Sequence, residues 1–282
     1  MSSSVSRRRS ILIAPASDPR KARKALRSSA DEVVLDLEDA VAPAQKLVAR
    51  STAIDLIAEH AHDRTVSVRI NAPGTPWYSD DLNELASCGT LASIIVPKVE
   101  SGAVVAEVER VLLGRAQVRI QALLETPDGI LNAREISHAS PLMQAVIIGY
   151  ADLGAALGRA PGNGQAWSGI QDLVLLAARS AGIQAIDGPH LSIADDAVFG
   201  QAVRRASEVG FDGKWVIHPA QIDTVTSVFT PSEEQVSHAR RVIDSLERAA
   251  SSGAGAVQLD GQMLDEAVAV AARRVLDRVG AL

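Results

Sequence analysis

The sequence predicts an α/β fold, a (β/α)₈ TIM barrel followed by a C-terminal helical extension. Three observations predict it. Eight short apolar runs alternate with helix-length amphipathic segments over about 220 residues, the span of a barrel of roughly 200–250. Aromatics make up only 3% of a chain that is 47% hydrophobic, so Ala, Val, Leu and Ile must build the core, as suits strands buried on both faces. The first run leads into Ala14-Pro15-Ala16-Ser17, without the Gly-rich fingerprint expected of a doubly wound open sheet.

The eight runs are Ser10–Ala14, Glu32–Leu37, Thr65–Ile70, Ser93–Val96, Val118–Leu124, Gln144–Gly149, Gln184–Ile186 and Lys214–Ile217. Most are β-branched and several are nearly all apolar, the pattern of fully buried parallel strands. Helical stretches such as Ala42–Glu59, Gln171–Ala181 and Ala194–Gly210 lie between them. Beyond the last run, Thr230-Pro231-Ser232-Glu233 reads as a capping box with Pro at the first helical position. The helix it opens lines up Val236, Ala239, Val242, Ile243 and Leu246. Ser251-Ser252-Gly253-Ala254-Gly255 reads as a hinge, and a last helix over about Leu264–Val279 carries Val268, Ala271, Val275 and Val279 on one stripe. The expected division is a catalytic barrel over residues 1–229 and an extension over 230–282, which serves as a mobile cover, docks on a neighbouring subunit or packs on its own barrel.

Composition excludes several classes. With 28 basic and 34 acidic residues, the chain lacks the basic excess of a nucleic-acid surface. Cys88 is the sole cysteine, so no intrachain disulfide forms. Arg7-Arg8-Arg9 before Ile11-Leu12-Ile13 imitates a secretory leader, but the run stops at Pro15, short of the roughly 7–15 apolar residues required. No window approaches the roughly 18 apolar residues of a membrane span. The expectation is a cytoplasmic protein with neither nucleic-acid nor membrane partners.

A (β/α)₈ barrel places its active site at the C-terminal strand ends. There the runs deliver Asp36, Glu38 and Asp39; Arg69 and Asn71; Pro97-Lys98; Glu125-Thr126; Asp152; Asp187-Gly188-Pro189; and His218-Pro219. Nearly every run ends in a group that ligates, donates or titrates, while Ser10, Thr65 and Ser93 at the opposite ends are less charged. Glu125 and Asp152, on adjacent strands, form the best metal pair, because Mg²⁺ is held by one or two carboxylates with waters and substrate oxygens. No Cys/His cluster suits zinc. Arg69 suits a bidentate grip on a substrate carboxylate, oriented by Asp36, Glu38 or Asp39, or else forms a structural bridge. His218 reads as a general base, a CoA contact or a satisfied core histidine. The basic helix Arg20, Lys21, Arg23, Lys24 and Arg27 is a solvated face or meets an anionic nucleotide. The Gly-rich segment Gly158–Gly169, with Trp167, is a candidate lid.

The segments DEVVLDLEDAVAPAQK (Asp31–Lys46), VRINAPGTPW (Val68–Trp77), VPKVE (Val96–Glu100), LLETPDGILN (Leu123–Asn132), IDGP (Ile186–Pro189), DGKWVIHPAQI (Asp212–Ile222) and DGQMLD (Asp260–Asp265) span almost the whole chain. Through them the sequence resembles the HpcH/HpaI aldolase–citrate lyase β-subunit superfamily, leaning toward its CoA-ester lyases. The resemblance implies Mg²⁺ on Glu125 and Asp152 and Arg69 on the substrate carboxylate, with Glu38 beside it among the catalytic candidates. It also implies a homotrimer or hexamer whose C-terminal segment covers a neighbour's site and brings Asp265 to the reacting centre. Lys24, Lys46 and His218 join Arg69 as substrate-binding candidates.

The expected activity is cleavage or formation of a 3-hydroxy-3-carboxyacyl-CoA, such as malyl-CoA or citramalyl-CoA, giving an acyl-CoA and an α-oxo acid. The alternatives are a citrate lyase β-subunit using an acyl-carrier thioester, a CoA-independent hydroxy-oxo-acid aldolase, and a non-catalytic binding protein.

Overall fold

The computed structural model describes residues 7–114, 118–159, 164–251 and 257–280. These form two compact units, Arg8–Thr226 and a second made of residue 7 with 227–280. All eight expected strands are present: β1 (Ser10–Pro15), β2 (Glu32–Asp36), β3 (Val66–Arg69), β4 (Ser93–Val96), β5 (Arg119–Leu124), β6 (Met143–Ile148), β7 (Gln184–Asp187) and β8 (Gly213–Val216). They pair in chain order, all parallel, and β8 returns to β1 to close the barrel. Around them run α1 (Pro19–Leu26), α2 (Lys46–His60), α3 (Tyr78–Leu85), α4 (Gly102–Leu112), α5 (Pro127–Leu131), α6 (Ala133–His138), α7 (Tyr150–Leu157), α8 (Ser168–Ala181), α9 (Ala197–Val209) and α10 (Ile222–Phe229). Pro43 opens a 3₁₀ turn (Pro43–Gln45), so α2 starts later than its hydrophobic pattern indicates.

Alternate strand residues point inward and stack in tiers. The floor is polar. Ser67 Oγ and Gln121 Nε2 donate to Glu32 Oε1 at 2.5 and 2.8 Å, and Arg8 Nε donates to Glu32 Oε2 at 2.5 Å. The end of the barrel opposite the mouth therefore holds a buried ion pair, although Ser10, Thr65 and Ser93, expected to make that end less charged, are themselves uncharged. Two residues further along the strands lies an apolar tier, in which Ile11, Val34, Ile95, Leu123, Ile147, Ile186 and Trp215 pack together. Each fully buried Ile, Val or Leu contributes about 1.5–3 kcal/mol. One more step along β2 and β3 gives Asp36 and Arg69, which face each other across the register of the two strands. The apolar tier thus supports a charged one, and the charged one is the mouth.

The second unit is a helical hairpin with a small sheet: α11 (Glu233–Ser251), β9 (Val257–Leu259), β10 (Gln262–Leu264) and α12 (Glu266–Val279). The cap of α11 lies two residues later than expected. Ser232 Oγ accepts from Gln235 N at 3.2 Å, while Gln235 Oε1 accepts from Ser232 N at 2.8 Å. Pro231 has no N–H and stands outside the helix rather than at its first position. All five residues of the expected α11 face join the core of this unit. On α12, Val268 and Val275 of the expected stripe pack against this core, but the buried members are Ala269, Ala272 and Leu276, and Ala271 is exposed. The β9–β10 hairpin is an element the hydrophobic pattern did not reveal. Its turn places Asp260 at φ 50° and Gly261 at φ 84°, a conformation that Asp-Gly adopts readily. Of the expected hinge at 251–255, Ser251 is the last residue of α11 and 252–255 lie outside the described residues. No helix among the described residues is long and apolar enough to cross a membrane.

Candidate active site

The mouth is built outward from Asp36, the last residue of β2. Its fully buried carboxylate accepts from the amides of Glu38 and Ala40 at 3.0 and 3.1 Å. It also accepts from Arg69 Nε and Nη2 at 2.7 and 2.8 Å. Burial opposes ionisation of Asp36, but the Arg69 guanidinium and these hydrogen bonds hold its carboxyl below the usual range. For Arg69, burial works against the charge too, and Asp36 then Glu38 more than restore it. One edge of the guanidinium is therefore committed to Asp36. Nη1 faces Glu38 Oε2 at 2.9 Å, and the guanidinium lies 5.9 Å over the Trp215 ring. The bidentate grip expected of Arg69 toward a substrate is left to its Nη1–Nη2 edge.

Lys46 reaches back from α2 into the turn after β2. Its ammonium donates to Leu37 O at 2.7 Å and Glu38 O at 2.8 Å, and it lies 5.4 Å from the Trp77 ring centre. Only 6% exposed, it props up the loop that carries Glu38. Lys46, expected as a substrate contact, thus has its ammonium bonded to two backbone carbonyls in this structure.

Strands β4 to β6 supply the rest. Lys98 adopts φ +52°, a left-handed conformation that costs an ordinary residue on the order of 1–2 kcal/mol. That turn aims the Lys98 amide at Glu125 Oε1, 3.0 Å away. Its side chain swings over the mouth, with the ammonium 2.5 Å from Glu38 Oε1, 3.1 Å from Asp152 Oδ2 and 3.8 Å from both Glu125 Oε1 and Asp39 Oδ1. Glu125 and Asp152 thus lie within 4 Å of one point, beside Arg69. Gly149, the N-cap of α7, makes room for this: a Cβ there would sit 2.5 Å from Glu125 Oε2.

The charges do not balance. Five carboxylates (Asp36, Glu38, Asp39, Glu125, Asp152) meet the side chains of Arg69 and Lys98. Burial, then Glu38, push the Glu125 carboxyl up to about 8. Burial also raises Glu38, outweighing Arg69 and Lys98. Two buried oxygens, Glu38 Oε2 and Asp152 Oδ2, lie near a cation yet accept no well-directed hydrogen bond. An added divalent cation would offset the surplus of carboxylates over cations. Among the described residues no set of three His, Cys, Asp or Glu side chains is arranged around a metal. A two-carboxylate site completed by water and substrate fits Mg²⁺ and not zinc.

His218 caps the 3₁₀ turn Pro219–Gln221, its Nδ1 accepting from Ala220 N at 3.2 Å. Lys24 is exposed in the last turn of α1. Asp265 is exposed in the second unit, where it caps α12 by accepting from Val268 N at 3.1 Å. In the candidate lid, residues 160–163 lie outside the described residues. Trp167 is a buried anchor, edge-on to Tyr150 at 5.1 Å. Lys98, which the sequence places at the end of the fourth strand without assigning it a role, is central to the cluster.

The chain resembles known proteins over most of its length. The family profile described as HpcH/HpaI aldolase/citrate lyase matches residues 9–219. An L-malyl-CoA/beta-methylmalyl-CoA lyase from Rhodobacter capsulatus is 34% identical, the match covering 90% of this chain and 89% of that one. A citrate lyase subunit beta from Leuconostoc mesenteroides subsp. cremoris is 32% identical over 95% of this chain and 92% of its own. Among solved structures, the protein CitE of Mycobacterium tuberculosis in complex with magnesium, acetoacetate and coenzyme A superposes with a TM-score of 0.77. It is 36% identical and covers 96% of this chain and 98% of its own.

Proposed function

Because the chain belongs to the HpcH/HpaI aldolase/citrate lyase family, we propose that its barrel mouth is a Mg²⁺-dependent carbon–carbon lyase centre for a 3-hydroxy-3-carboxyacyl-CoA. One observation carries the reading: the Glu125 and Asp152 carboxylates converge on a single point beside the Arg69 guanidinium. Relatives include malyl-CoA lyases and a citrate lyase subunit, and one solved neighbour was captured with magnesium, acetoacetate and coenzyme A.

In this reading Glu125 and Asp152 hold the metal, which when bound supplies a Lewis acid that lowers the pKa of the substrate hydroxyl. Arg69 receives the substrate carboxylate on its Nη1–Nη2 edge, held rigid from behind by Asp36. Glu38 Oε2, buried and without a directed hydrogen bond, accepts the hydroxyl proton. The C2–C3 bond then breaks. Its electron pair passes into the thioester enolate, and C3 leaves as the carbonyl of an α-oxo acid. Asp265 returns a proton to C2, delivered by a neighbouring subunit of a homotrimer or hexamer. Such acid–base help is worth on the order of 10²–10⁴-fold. Run backwards, the same groups condense an acyl-CoA with an oxo acid. A cytoplasmic location, with small-molecule rather than nucleic-acid or membrane partners, completes the proposal.

The test is a substrate panel. Malyl-CoA or citramalyl-CoA is cleaved with Mg²⁺ and not with a chelator, and free 4-hydroxy-2-oxo acids turn over far more slowly. Preference for the free acids, or a requirement for an acyl-carrier protein, overturns the CoA assignment.

A further inference from the structure

The ammonium of Lys98 occupies the place where the carboxylates converge. It lies within 4 Å of Glu38, Asp39, Glu125 and Asp152. The partners around it come from three different segments, the loops after β2 and β5 and the first turn of α7, and the neighbouring Lys46 ammonium bonds the Glu38 carbonyl rather than its carboxylate. The side chain is 35% exposed, so it has an open path outward. Its backbone is fixed by the hydrogen bond that its N–H donates to Glu125 Oε1 and needs no movement for the side chain to leave.

We propose that Lys98 is a tethered cation that competes with Mg²⁺ for the same carboxylates: it keeps the cluster assembled without metal and is expelled toward the substrate when metal enters. The argument rests on the reading of Glu125 and Asp152 as metal ligands. Like charges this close repel strongly at the low effective dielectric of a protein mouth, so the empty cluster would spread without an internal counter-ion. A divalent ion bound between Glu125 and Asp152 would place two further positive charges beside the ammonium, and both cations cannot share the oxygens. The ammonium is then displaced while its tether keeps it at the mouth. There it faces an incoming anionic substrate with three donors. Lys98 is on this account a positioning residue for the metal site, set in place by the left-handed turn at φ +52°.

Two measurements test it. The first is calorimetric titration with MgCl₂ of the wild type, Lys98→Met and Lys98→Arg. Lys98→Met, with the side chain's length but no charge, should bind Mg²⁺ about tenfold more tightly, while Lys98→Arg binds like the wild type. Unchanged or weaker binding by Lys98→Met overturns the proposal. If Lys98→Met does not fold, Lys98→Gly replaces it, because glycine accepts the positive φ. The second needs no variant: reductive methylation of the wild type, read at Lys98 by mass spectrometry, should proceed several-fold faster with Mg²⁺ than with a chelator. Equal rates overturn the proposal. A wild type that binds no Mg²⁺ at all would instead defeat the metal reading on which the proposal stands.

Discussion

Replacing Gly149 with Ala probes the metal site through one added methyl group. Gly149 is the N-cap of α7 at φ −98° and ψ 90°, which alanine also adopts, so the backbone itself is no obstacle. Alanine caps less well than glycine by somewhat under 1 kcal/mol, which about cancels the ~0.4–1 kcal/mol gained from a stiffer unfolded chain. The contact term then decides. The new Cβ would lie 2.5 Å from both Cβ and Oε2 of Glu125, about 1 Å inside van der Waals contact. Glu125 is 4% exposed and tied to the Lys98 amide, so it has little room to retreat. Overpacking of this kind costs about 1–3 kcal/mol. A displaced metal-ligand carboxylate should in addition weaken Mg²⁺ binding by about 10–100-fold, the size seen when a ligand's support is lost. Urea unfolding and calorimetric titration read the two effects separately. Gly169→Ala in α8, where nothing lies within 4 Å of the added Cβ, is the control and should be neutral or slightly stabilising. If Gly149→Ala matches the wild type in both stability and Mg²⁺ affinity, the steric reasoning is wrong.

Three further outcomes follow from the same geometry. Asp36→Asn leaves the buried Arg69 guanidinium without its main counter-charge and should cost about 3–5 kcal/mol by chemical denaturation, as expected when one partner of a buried pair is removed. Glu125 titrates near 8 in the fold against an ordinary 4.5, so between those values the folded state binds more protons than the unfolded one. Metal-free protein should therefore gain stability from this group as pH falls from about 8 toward 4.5, by at most about 4–5 kcal/mol, and Mg²⁺ affinity should weaken over the same interval; urea unfolding with a chelator and Mg²⁺ titrations at pH 6 and 8.5 read both. Asp265→Asn retains an N-cap acceptor for α12 and should change stability by only a few tenths of a kcal/mol, while losing on the order of 10²-fold or more in kcat if the carboxyl is the proton donor.

The barrel was legible because its signal is repeated. Eight buried strands each leave an apolar run, and the spacing between runs leaves few other topologies. The strand ends were legible for the same reason, since position alone marks them as the mouth. What could not be read were pairings that depend on where a flexible side chain goes. Lys46 and Lys98 look alike in sequence, each a lysine just beyond a strand or loop of the mouth. In the structure one bonds two buried carbonyls and the other bridges carboxylates. Nor does periodicity foresee the floor pair Arg8–Glu32, because a charged residue at a strand start reads as a solvated end. The β9–β10 hairpin was missed for a different reason. Each strand is three residues long, too short for alternation to show, although Asp260-Gly261 is a strong turn signal. The α11 cap slipped because Thr230-Pro231-Ser232-Glu233 and Ser232-Glu233-Glu234-Gln235 both satisfy the capping pattern, and only the second is realised.

The most direct test of the metal centre is calorimetric titration of MgCl₂ into the wild type and into Asp152→Ala, with circular dichroism confirming that both are folded. The account predicts one Mg²⁺ per chain in the wild type and no measurable binding in Asp152→Ala, whose lyase turnover should be abolished with it. Mg²⁺ bound equally well by Asp152→Ala, or turnover that survives the substitution, would contradict it.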